Sequence, residues 1–130
     1  VLEIDDFLLA AEQALGIDAE RLIPVTKIPL AESALAAPHA SFGGHEFYPG
    51  IVQQAAILAS RIMRNHPLPD GNKRVALLLT EVHLAEHHLK ITATPEEINR
   101  TFRAVAAKRM TEDYFTIWMQ EKTRPPLEGP

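Results

Sequence analysis

His66-Pro67-Leu68-Pro69-Asp70-Gly71-Asn72-Lys73-Arg74 decides how this chain folds, because apolar helix-forming segments run up to it and away from it. Two prolines forbid one continuous helix, and Asp70-Gly71-Asn72 supplies turn and cap chemistry. Upstream, Gly50 to Asn65 reads as a helix with Ile51, Ala55, Leu58 and Ile62 on one stripe and Arg61 and Arg64 off it. Downstream, the helix that starts near Asn72 is apolar almost all round its first two turns, through Val75, Ala76, Leu77, Leu78, Leu79 and Val82. Such a helix normally lies buried in the middle of a bundle.

The same helical spacing extends outward in both directions. Asp5 is placed to cap a first helix that carries Leu8, Leu9 and Leu15 and stops at Gly16. A short helix fits Pro29 to Ala36, since proline is tolerated in a first turn. Ala40 to Pro49 mixes glycines with Phe42, Phe47 and Tyr48 and has no helical stripe, so it reads as an exposed loop or short hairpin. Thr94-Pro95-Glu96-Glu97 has the form of a capping box, opening a helix with Ile98, Phe102 and Val105. Thr111 caps a last helix in which Phe115, Trp118 and Met119 fall at core spacing. The expectation is an all-α bundle of six or seven helices, with residues 1–122 forming one domain and 123–130 a flexible tail.

Composition bounds the function. A chain of 130 residues suits one domain, and 46% hydrophobic with 23% charged residues is an ordinary globular balance. With no cysteine, disulfides, thiolate metal sites and a cysteine nucleophile are excluded, which fits a reducing cytoplasm. No apolar run is long enough to span a bilayer, and no signal-like segment opens the chain. Asp and Glu outnumber Lys and Arg, 17 to 13, whereas a general nucleic-acid binder leans the other way. Neither membrane nor nucleic acid is an expected partner.

Charge placement singles out the central loop. The helix opening near Asn72 begins with backbone N–H groups that have no acceptor within the helix, an arrangement that attracts anions. Yet Lys73 and Arg74 occupy that first turn, where each cation is disfavoured by about 0.3–1 kcal/mol. Arg64 lies close by in sequence. A bound polyanion would relieve that repulsion. Asp70 is a hard carboxylate of the kind that holds magnesium together with phosphate oxygens. The imidazole of His66 is a general base for a hydroxyl proton. No Walker-type glycine loop is present. From the residues alone, an ordinary interhelical loop with a solvated Lys-Arg pair fits equally well, and both readings stand.

The loop resembles the signature of the Fic/Doc family, His-x-Phe-x-[Asp/Glu]-[Gly/Ala]-Asn-x-Arg, most closely in its Doc (death-on-curing) branch of toxins from toxin–antitoxin pairs. Leu30 to Pro38 and Phe42-Gly43-Gly44 through Tyr48-Pro49 are similar too, and the likeness runs to about Ile91. The resemblance implies a compact helical bundle with a flap loop, for which Ser41 to Phe47 is the candidate. It implies His66 as general base, Asp70 as magnesium ligand, and Gly71, Asn72, Lys73 and Arg74, with Arg64, as the phosphate-binding set for ATP. It also implies a kinase that modifies a threonine of elongation factor Tu, arrests translation in the cytoplasm, and is neutralised by a small antitoxin. AMP transfer, typical of Fic enzymes, is the second reading; an inactive binding module is the third. Lys73 stands where Fic transferases have Gly, and Leu77 where they have a second Arg, which favours phosphate transfer. Leu68 replaces the family's Phe, so a looser loop is expected unless neighbours fill the gap. His83 and His87 read as a solvated helix face and His45-Glu46 lacks the later His of a zincin motif. No self-inhibitory segment of the Fic kind is found, so inhibition is expected from a partner.

Overall fold

The computed structural model describes residues 1–127. Seven helices account for most of it: α1 (Ile4–Leu15), α2 (Ala19–Leu22), α3 (Ile28–Ala36), α4 (Ile51–Asn65), α5 (Asn72–Glu86), α6 (Pro95–Ala106) and α7 (Glu112–Lys122). Two short antiparallel pairs complete it, β1 (Ser41–Phe42) with β2 (His45–Glu46) and β3 (Lys90–Ile91) with β4 (Thr123–Arg124). The fold is all-α, as the spacing of apolar residues required. Among the described residues no helix is long and apolar enough to cross a membrane.

Helix α4, rather than α5 alone, is the innermost element. It buries Ala55, Ala56, Ile57, Leu58, Ala59, Ser60, Ile62 and Met63, and α3, α5 and α7 all pack against it. Its alanines permit close approach from several sides, so its buried surface is wider than one stripe. On α5, Val75, Ala76, Leu79 and Leu84 are buried, but Leu77 and Leu78 are half-covered and Val82 is exposed. Helix α1 closes the other side of α5 with Phe7, Leu8, Ala10 and Ala11. Phe102 of α6 meets Phe115 of α7 edge-on, ring centres 5.2 Å apart, and Trp118 stacks on Phe115.

Several local expectations shift by a residue or a partner. Glu3, not Asp5, is the cap of α1: Asp6 accepts the Glu3 N–H at 2.7 Å, leaving Asp5 inside the first turn. Thr94 and Thr111 cap as expected, accepting from the N–H groups of Glu97 and Tyr114. The Glu97 side chain does not return to the cap, however. It accepts from Trp118 Nε1 at 2.9 Å and pairs with Lys122, so a tertiary contact displaces the reciprocal half of the capping box. Ala40 to Pro49 contains a hairpin: Gly43 and Gly44, both with positive φ (57° and 78°), form the two-residue turn between β1 and β2. Thr123 and Arg124, expected in the free tail, instead pair with Ile91 and Lys90, and Thr92 reinforces the join through Lys122. Of the expected tail, residues 128–130 lie outside the described residues.

Candidate active site

The α4–α5 connection, residues 66–71, is held from every side. Helix α4 ends at His66 in the left-handed region (φ 52°, ψ 57°), with the His66 N–H donating to Ile62 O at 3.1 Å. Glycine usually occupies that cap position, because a side chain there costs about 1–2 kcal/mol. Pro67 O then accepts from the Lys27 N–H at 2.8 Å, tying the loop to the start of α3. Leu68, where the family pattern has Phe, is 1% exposed and belongs to the core.

Asn72 closes the loop. Its Oδ1 accepts from the Leu68 N–H at 3.0 Å and its Nδ2 donates to Leu68 O at 2.9 Å. The Asn72 carboxamide, expected among the phosphate ligands, is engaged on both its oxygen and its nitrogen with the loop's own backbone. Gly71 has φ +86°, and a Cβ there would collide with the Leu15 side chain, so only glycine lets α1 press against the loop.

These constraints leave a cleft of about 290 Å³ lined by His66, Asp70, Gly71, Asn72, Lys73 and Arg74, with Met63 and Ala106 as its apolar walls. His66 and Asp70 are exposed to it. Asp70 Oδ1 accepts from the Gly71 N–H at 2.8 Å; among the described residues no other contact engages the carboxylate. The first turn of α5 points its N–H groups outward with no intrahelical acceptor. Lys73 reaches across to α6, donating to Asn99 Oδ1 at 2.6 Å. Burial, and then the nearby charges of Arg103 and Arg74, hold the Lys73 ammonium below the usual lysine pKa. No cluster of three or more His, Cys, Asp or Glu able to hold a metal occurs among the described residues. A lone Asp70 fits magnesium, which takes one or two protein carboxylates and completes its shell with phosphate and water.

The structure does not bring Arg64 to this cleft. Its Nη1 lies 3.3 Å from Glu112 Oε2 on α7, beside Arg61, which pairs with the same carboxylate at 2.9 Å. Ser60 also donates to Glu112, at 2.7 Å, and Arg61 extends toward the Tyr48 hydroxyl at 3.4 Å. Burial of Glu112 works to raise its pKa, but the hydrogen bonds from Arg61 and Ser60 and the charges of Arg61 and Arg64 win, leaving it below the ordinary carboxylate range. A depressed folded-state pKa contributes stability above the unfolded value, lost as pH falls through the folded one. Glu112→Gln is therefore expected to lower unfolding free energy by about 1–2 kcal/mol at pH 7, after allowance for the solvent that still reaches the pair. The deficit should shrink as pH drops below about 4.5, where wild type loses its advantage. Urea melts at pH 7 and at acid pH check both statements.

The candidate flap lies at the surface. Ser41 to Phe47 are all exposed, Phe42 at 80%, so they are not core anchors, and none of them lines the cleft. His83 departs from the solvated face expected of it. It is half-buried, its Nε2 has no partner, and burial first, then His87, lowers its pKa. The contribution of α6 was not evident from the sequence: Asn99, which accepts from Lys73, and Ala106, which lines the cleft, lie far along the chain in an amphipathic helix.

Comparison with known proteins agrees with this geometry. The Fic/DOC family model matches residues 1–84. A curated relative, "Toxin Doc" of Mycolicibacterium smegmatis (strain ATCC 700084 / mc(2)155), is 37% identical over 75 residues, covering 58% of this chain and 55% of that protein. The match thus spans about half the length of that relative. No solved structure matches. The matched 84 of 130 residues take in α1 through most of α5 and the whole of the loop that shapes the cleft, and the chain belongs to the Fic/DOC family.

Proposed function

We propose that this chain is a Doc-like toxin: a protein kinase that moves a phosphate from ATP to a threonine of elongation factor Tu, arresting translation in the cytoplasm, with a small antitoxin as its neutralising partner. One observation carries the reading: an imidazole, a carboxylate and the cation-bearing first turn of α5 open onto one cleft. The kinship with a protein named as a toxin supports it.

The α5 N–H groups, the helix dipole, Lys73 and Arg74 hold the triphosphate. Asp70 would hold magnesium, which would supply positive charge to offset the negative charge of the phosphates. His66 takes the proton of the threonine hydroxyl as its oxygen bonds to the terminal phosphorus. The bond from that phosphorus to the bridging oxygen breaks, and ADP leaves with the electron pair. That His66 and the α5 turn line the same cleft supports this pairing of base and phosphate donor.

The test is to incubate the chain with elongation factor Tu, ATP and magnesium and to weigh the product. A gain of one phosphate on a threonine is expected. A gain of AMP would assign transfer of the nucleotide instead. No gain, together with induced expression as harmless for wild type as for His66→Ala, would leave only a binding module.

A further inference from the structure

Helix α6 carries Asn99, Arg103 and Ala106 at spacings of four and three, which puts them on one stripe. Both ends of that stripe touch the cleft. Lys73 Nζ donates to Asn99 Oδ1 at 2.6 Å, and Ala106 is part of the cleft wall. Arg103 lies between these two points and is exposed. Its charge is close enough, with that of Arg74, to disfavour the Lys73 ammonium.

Arg61, Arg64 and Lys122 each lie against a carboxylate. Among the described residues, Lys73, Arg74 and Arg103 have no such partner, and Asp70 is the one acid lining the cleft. Lys73 and Arg74 line the opening, and Arg103 lies on the α6 stripe between Asn99, which accepts from Lys73, and Ala106, which lines the cleft. A guanidinium on the facing helix adds a planar fork of donors where α5 supplies backbone N–H groups and one ammonium.

We propose that Arg103 is a third phosphate-binding cation of this cleft, supplied by α6, and that Asn99 is a resting partner that Lys73 leaves when a polyphosphate binds. The proposal rests on the nucleotide reading above, and deepens it by assigning the opposite wall. Asn99 is a positioning residue; Arg103 touches the ligand.

Titration calorimetry of the full chain with magnesium and ATP, inorganic tripolyphosphate or adenosine tests it. Arg103→Ala is expected to weaken ATP and tripolyphosphate by about tenfold, as loss of one charge-assisted contact would. Arg103→Lys should recover part of that loss, and the salt dependence of ATP binding should be shallower in Arg103→Ala. Any adenosine binding should be the same in all three chains. Asn99→Ala should bind tripolyphosphate as well as wild type or severalfold better, because Lys73 is no longer held. Arg103 is exposed, so its variants should melt close to wild type. If wild type binds ATP and Arg103→Ala binds it equally well, the α6 assignment fails and the nucleotide reading stands. If wild type binds neither ATP nor tripolyphosphate, both fail.

Discussion

Replacing His66 with glycine is expected to abolish phosphate transfer while making the fold more stable. The transfer needs a base at the cleft, and losing a general base costs on the order of a hundredfold or more. The backbone needs the reverse. His66 ends α4 in the left-handed region, where glycine has no side-chain penalty. His66→Gly should therefore gain about 1 kcal/mol in unfolding free energy. His66→Ala should be equally inactive but without that gain, since alanine bears the same left-handed cost. Activity and denaturant unfolding of the three chains give the comparison. A His66→Gly chain that is both active and stabilised would remove the imidazole from the chemistry.

Gly71→Ala is expected to be the most damaging small substitution in the loop. A methyl group there meets two independent obstacles, a φ of +86° and the side chain of Leu15 on α1. The first costs about 1–2 kcal/mol and overpacking adds about 1–3, so a loss of about 2–5 kcal/mol should appear in urea melts. Because Gly71 immediately precedes the anion-binding turn of α5, transfer activity should fall with it. The two causes can be separated. Leu15→Ala in the same chain removes the collision but not the dihedral cost, so the double variant should be more stable than the sum of the single effects by about 1 kcal/mol or more. Strict additivity would show that Leu15 does not bear on the loop.

Much of the cleft was legible because it is local. His66, Asp70, Gly71 and the first turn of α5 lie within one short stretch, and a helix that starts there must present its N–H groups in that place. Arg64 is near the loop in sequence but is not among the residues that line the cleft. Residues two apart near a helix end do not face each other, and Arg64 turns instead to Glu112, remote in sequence. Asn72 lines the cleft as expected of a phosphate-site residue, and its carboxamide also closes the turn through two bonds to Leu68, as an Asn beside a tight turn often does. Nothing local announced Arg103 and Asn99, since their place depends on how α6 packs across α5.

By itself the sequence determined the all-α architecture, the breaks between helices and the chemistry of the central loop, because hydrophobic period, proline, glycine and cap residues act over a few neighbours. Tertiary structure alone decided that α4 is innermost, that Glu112 draws Arg64 away, that Trp118 takes the Glu97 carboxylate from its cap, and that α6 borders the cleft through Asn99 and Ala106. Those outcomes depend on distances between residues far apart in the chain. Such distances are fixed only when the helices pack, and the choice among competing charge and hydrogen-bond partners is made there.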